Sequence, residues 1–90
     1  MQEETVTNEV DNKLKDLTLR MAQAVVNNPD QVRIEATEGT LMIVLELSVD
    51  PDDMGRVIGK KGQIANAMGT LLRSSAAKNG KRVNLEIIQA

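Results

Sequence analysis

Phenylalanine, tyrosine and tryptophan are all absent from the 90 residues, and so are cysteine and histidine. Without aromatic rings the core must be packed from Leu, Ile, Val, Met and Ala, and nucleobases have no aromatic platform to stack on. Without cysteine there is no disulfide and no thiolate metal site. Without histidine the commonest general base and the commonest neutral metal ligand are missing, so catalysis would fall to carboxylates, lysines or hydroxyls. No apolar run approaches the ~20 residues of a membrane-spanning helix. The opening MQEETVTNEV has neither the basic start nor the apolar stretch of a secretion signal, which makes a cytoplasmic location the expectation.

What remains is a chain with the means to fold. Its length fits one domain, and 41% apolar with 27% charged residues describes a globular chain and not a disordered one. The net charge of −2 hides an uneven layout. From Met54 to Arg82 there is no acidic residue, while the same stretch carries Arg56, Lys60, Lys61, Arg73, Lys78, Lys81 and Arg82. Every acidic residue except Glu86 lies before Met54. That split predicts one basic working surface on an acidic body, in place of a merely solvated charge run.

Periodicity supplies the elements. Residues 1–8 read as a flexible acidic tail, and the domain proper as 9–90. Val10, Leu14, Leu17, Met21, Ala24 and Val25 recur at helical spacing, and NNPD at 27–30 ends that helix. QVRIEATE alternates as a strand with Val32, Ile34 and Ala36 inward. After the turn EGT, LMIVLELSV forms a second strand with Leu41, Ile43, Leu45, Leu47 and Val49 inward. Met42 and Val44 on its other face suggest a central strand. DPDDMGRVIG begins a short helix, with Asp50 as N-cap, Pro51 in the first turn, and Asp52 and Asp53 against the positive end. Capping accounts for these aspartates without a metal. Met54, Val57 and Ile58 form its buried side. A longer helix follows over about Gln63–Lys78, with Ile64, Met68, Leu71, Leu72 and Ala76 inward and Gly69 inside it at a cost of ~1 kcal/mol relative to Ala. Asn79-Gly80 stops it. KRVNLEII is the last strand, its Val83, Leu85 and Ile87 inward. The order α-β-β-α-α-β, with a hairpin and then a crossover, predicts an α+β fold with a three-stranded mixed sheet and three helices on one face.

The most informative stretch is RVIGKKGQIA, Arg56–Ala65. Gly59 and Gly62 bracket two lysines at a corner between helices. Glycine permits positive φ and close approach of a ligand's backbone. Amides near Gly62 and Gln63 open the next helix, where free N–H groups and the helix dipole favour phosphate. Lys60 and Lys61 add charge at the tip, with Arg56 nearby, and Val57, Ile58, Ile64 and Ala65 offer aliphatic surface beside it. Such chemistry suits sequence-independent contact with a sugar–phosphate chain. The loop is not GxxxxGK[ST], and no set of residues supplies base, nucleophile and orienter, Asp52 with Lys60 being the nearest pair, so no enzyme activity is expected.

VIGKKGQI in this setting resembles the KH domain, whose GxxG loop clamps about four nucleotides of single-stranded RNA. The order ahead of the loop looks like the type II arrangement. DPDDMG before it and GKRV after it are similar to the small bacterial single-KH proteins of the KhpA family, over about Leu14–Ile88. The resemblance implies RNA binding with little sequence preference, by Gly59, Lys60, Lys61 and Gly62 as the clamp and Val57, Ile58 and Ile64 as the groove wall, with Arg56 and Gln63 beside them. It also implies a homodimer, a larger KH-containing partner of the KhpB type, RNA-chaperone activity, and a role in cell shape, cell wall organisation, elongation and division, without cofactor, metal or membrane. The chain departs from its relatives at Gly69, where they usually carry Arg. The competing reading is a dimerisation subunit whose RNA contact is secondary, using Ile64 or an apolar patch of Met42, Val44 and Ile88 on the open face of the sheet.

Overall fold

The computed structural model describes residues 2–90, with side chains from Asn12 onward. Helix α1 spans Gln2–Val25, strand β1 Arg33–Glu38, β2 Met42–Val49, α2 Met54–Ile58, α3 Gln63–Ala77 and β3 Arg82–Gln89. Short 3₁₀ turns at Pro29–Gln31, Pro51–Asp53 and Lys60–Gly62 lead into β1, α2 and α3. The bounds of α1 begin inside the segment expected as a tail. Val10 and the acidic side chains before it lie outside the described side chains, and the boundary at residue 9 stands as a proposal.

β2 is central, antiparallel to β1 and parallel to β3. The alternation seen in the sequence is realised: Ile43, Leu45, Leu47 and Val49 are fully buried under the helices. Leu14, Leu72, Ala76 and Val83 close one half of the core around Ile43 and Leu45; Ala22, Val57 and Met68 close the other around Leu47 and Val49. Burying a Leu, Ile or Val side chain contributes about 1.5–3 kcal/mol, so this aliphatic set replaces the missing aromatics.

Four inward assignments do not hold. Leu41 is 68% exposed because it belongs to the hairpin turn and not to β2. Leu71 is 55% exposed, since Met68, Gly69, Leu72 and Ala76 already fill the buried stripe of α3. Ile58 at 39% ends α2 on the surface. Ala24 is exposed as well, because the buried line of α1 runs Leu14–Thr18–Ala22. Hydrophobicity passes over Thr18, which is buried with its hydroxyl donating to the Leu14 carbonyl at 2.7 Å.

The open face of the sheet carries Met42, Val44, Glu46 and Ser48 from β2. Strand register sets Glu35 opposite Glu46 and Glu46 opposite Glu86, so three carboxylates cross the sheet in one row.

Candidate nucleic-acid interface

Helix α2 is only five residues long because Gly59 turns out of it, at φ 76° and ψ 176°. Few residues other than glycine tolerate that conformation. The Gly59 N–H still donates to Gly55 O at 2.8 Å, which closes the last turn of α2. Lys61 then adopts φ 56° and ψ 25°, and Gly62 φ 76° and ψ 15°. Two consecutive left-handed residues reverse the chain and launch α3. Lys61 is the only non-glycine residue with positive φ among the described residues, a conformation that costs an L-residue about 1–2 kcal/mol.

The structure corrects the sequence reading of the amides. Gly62 N–H donates to Gly59 O at 3.1 Å, and Gln63 N–H to Lys60 O. The 3₁₀ turn consumes both donors that the sequence left free. Positive charge at the corner therefore rests on the ammonium groups and the dipole of α3. Lys60, Lys61 and Gln63 are exposed, and neither lysine pairs with a carboxylate among the described residues. The lysine tip is not covered by its own chain.

The aliphatic side is narrower than expected. Ile58 is at the surface and Ile64 half-buried, whereas Val57 is fully buried and supports the wall from beneath instead of lining it. Ile64 also explains the first glycine. A Cβ on Gly59 would stand 2.4 Å from Ile64 Cγ1, so the side chain of α3 occupies the space that glycine leaves. At Gly62 the nearest atom to such a Cβ is Asn66 Nδ2 at 3.8 Å, and only the positive φ demands glycine.

Arg56 faces away from this corner's tip, toward the end of α1. It lies 3.9 Å from Asp53, and the Asn27 amide, oriented with its oxygen toward Arg56, accepts from Arg56 Nη2 at 2.7 Å. Asp53 itself is buried. Its carboxylate accepts from the N–H groups of Asn27 and Asn28, both at 3.0 Å, and from the Asn28 side-chain amide at 3.1 Å. The Asn27 N–H, the two Asn28 donors and Arg56 hold its pKa below the usual aspartate value, against the opposing effect of burial. Asp53 thus ties the end of α1 to the start of α2, whereas Asp50 caps the turn as expected by accepting from Asp52 N–H at 2.9 Å. Sequence reasoning missed the Asp53 clasp because its partners lie 25 and 26 residues away. Among the described residues no acidic group is arranged for a metal, and no helix is long and apolar enough to cross a membrane.

The family model for the KhpA/KhpB KH domain matches residues 15–87. The chain is 47% identical over 76 residues to the RNA-binding protein KhpA of Aquifex aeolicus, covering 84% of this chain and 96% of that one. It is 48% identical over 73 residues to KhpA of Caldanaerobacter subterraneus, covering 81% and 97%. KhpA of Clostridium acetobutylicum is 45% identical over 75 residues, covering 83% and 100%. Among solved structures, Era bound to MgGDPNP and a segment of 16S ribosomal RNA shares the fold at a TM-score of 0.60 and 24% identity. Era of Aquifex aeolicus bound to GDP and AlF4− does so at 0.61 and 22%. Each match covers 84% of this chain but only 29% and 30% of the Era chains.

Proposed function

The chain belongs to the KhpA/KhpB KH-domain family, and from that premise we propose that it binds single-stranded RNA through the Gly59–Gly62 loop with little sequence preference. The observation that carries the reading is the corner itself. Two glycine-dependent turns hold Lys60 and Lys61 exposed and unpaired beside Ile58 and Ile64. Phosphates would lie against the ammonium groups, and bases against aliphatic carbon. Gly59 and Gly62 let the strand's backbone approach, and Gln63 offers a side-chain amide at the same end of α3. The outer edge of β3 has no strand partner in the sheet, so its backbone groups are available to base edges.

The curated relatives are named RNA-binding proteins, and the family is one of binding domains and not of enzymes. On the same premise the chain acts in the cytoplasm as an RNA chaperone, self-associates and pairs with a larger KH-containing protein of the KhpB type, in control of cell shape, elongation and division. What supports the pairing is the shared family model, together with exposed Met42 and Ile88 on the open sheet face.

The test is direct. Lys60→Asp with Lys61→Asp is expected to abolish binding of a short U-rich RNA without lowering the unfolding temperature, since both side chains are exposed and Asp tolerates the left-handed conformation at 61. In the native protein log K should fall with log salt by about 0.7 per phosphate contacted. A double variant that binds as the native chain does would overturn the loop as the clamp.

A further inference from the structure

Strand β1 pairs with β2 on one side and with no strand on the other. The ladder decides which of its backbone groups face that free edge. The Gly39 N–H donates to the Met42 carbonyl at 2.7 Å, and the register sets Thr37 opposite Val44, Glu35 opposite Glu46 and Arg33 opposite Ser48. In an antiparallel ladder alternate residues exchange both bonds with the neighbouring strand. Arg33, Glu35 and Thr37 therefore turn their amides and carbonyls toward β2, and Ile34 and Ala36 turn theirs outward. The far side of β2 agrees, since the carbonyls of Leu41 and Val49 accept from the N–H groups of Arg82 and Ala90 next to β3.

A groove of about 440 Å³ lies beside this edge, between α1 and the first half of β1. Leu19, Val32 and Ile34 give it an apolar floor, and Lys15 and Asp16 a charged rim. A strand added to β1 would drop every second side chain into it, the arrangement by which sheet edges select their partners. On the open face of the sheet Arg33 and Glu35 are exposed, and neither has an ion-pair partner among the described residues. Charges on an edge strand ordinarily repel other strands. These two are of opposite sign and two residues apart, so a reversed copy of the same strand complements them.

We propose that the free edge of β1 pairs with β1 of a second copy of this chain, antiparallel, about a two-fold axis through Ile34. The proposal rests on the self-association read above and assigns it a surface. With Ile34 at the axis, the Ile34 residues of the two copies exchange both backbone bonds. The Ala36 N–H of each then reaches the Val32 carbonyl of the other, where the chain is already extended at φ −75° and ψ 128°. Arg33 of each copy faces Glu35 of the other, at the positions where side chains across an antiparallel pair come closest. Neighbouring registers lose this fit. With Glu35 at the axis two carboxylates meet. With Ala36 there, Ile34 faces Glu38, which Lys81 already holds, and Arg33 no longer faces Glu35. In the favoured register Val32, Ile34 and Ala36 of both copies meet along the groove beside Leu19, and the two three-stranded sheets become one isologous sheet. Arg33 of the second copy also adds a positive charge to the end of the Glu35–Glu46–Glu86 row and offsets the repulsion within it. No residue of Gly59–Gly62 borders the groove, so the lysine corners stay free.

The experiment is sedimentation equilibrium over a range of concentrations on the native chain, on Arg33→Glu, on Glu35→Arg and on an equimolar mixture of the two variants. Each variant alone sets like charges opposite one another at both positions, and its dimer is expected to be weaker than the native one by about tenfold or more. In the mixture the acidic strand of one variant lies opposite the basic strand of the other, and a heterodimer of near-native strength should return. That recovery also shows that both variants are folded. Variants that associate as the native chain does would overturn the β1 edge and leave self-association to another surface. A mixture no tighter than its parts would overturn the Ile34-centred register and the proposal with it. A native chain that is monomeric at every concentration would remove both the surface and the self-association on which it rests.

Discussion

Gly59 and Gly62 have the same φ of 76° but occupy different surroundings, and substitution should separate them. Alanine at 62 meets only the Asn66 amide, at an ordinary contact distance of 3.8 Å, and bears the left-handed backbone, roughly 1–2 kcal/mol. Alanine at 59 bears a backbone of φ 76° and ψ 176°, worth on the order of 1–3 kcal/mol, and in addition drives its Cβ into Ile64. Gly59→Ala is therefore expected to be the more destabilising variant in urea unfolding; equal losses would show that Ile64 moves aside freely. The need for glycine at both positions was legible in the sequence, because a GxxG corner between two apolar helical stretches has few other conformations. The reason it is needed at Gly59 was not, because Ile64 reaches the spot only through the three-dimensional reversal that Lys61 and Gly62 make. For the same reason the sequence left the Gly62 and Gln63 amides free when the turn in fact uses them.

At the scale of elements, the order of helices and strands followed from period and punctuation. Alternation in β2 and the turn residues at Gly39 and Gly80 carried most of it. Contacts between elements did not, and the Asp53 clasp is the main case. Its carboxyl is held below the ordinary aspartate pKa of ~3.9, so the charged form is favoured by folding. The stability it contributes is present above that ordinary value and is lost as pH falls through the lowered native one. Asp53→Asn sets a side-chain N–H₂ against donors from Asn27 and Asn28. The variant should be clearly less stable than the native chain at pH 7, and the gap should shrink in acid below about pH 4. Urea midpoints at pH 7 and pH 3 measure both; a gap independent of pH would remove Asp53 from this role. Arg56, expected at the RNA surface, is drawn into the same junction, so its charge braces α1 against α2.

For the whole molecule, the split of charge along the chain becomes a split in space. Lys60 and Lys61 project from the α2–α3 corner, while Glu35, Glu46 and Glu86 form a row on the open sheet face. Such a row repels a polyanion, which agrees with the proposed docking of RNA at the corner. It also sets like charges on neighbouring strands, which destabilises a sheet. Glu46→Thr removes the middle charge and should raise stability by about 0.2–1 kcal/mol at low ionic strength, with the gain shrinking as salt screens the repulsion in the native row. No gain at low salt would mean that the row is already relaxed. The parallel pairing of β2 with β3 has a temporal counterpart. β1 meets β2 across a short turn, but Met42 finds Arg82 only after thirty-nine intervening positions have been laid down. Leu85 and Ile87 of β3 pack against the cluster that contains Val57, Met68 and Ile64, the floor under the lysine corner. During translation, then, the corner has no foundation until β3 has left the ribosome, and it takes its final shape late, however early its own residues emerge.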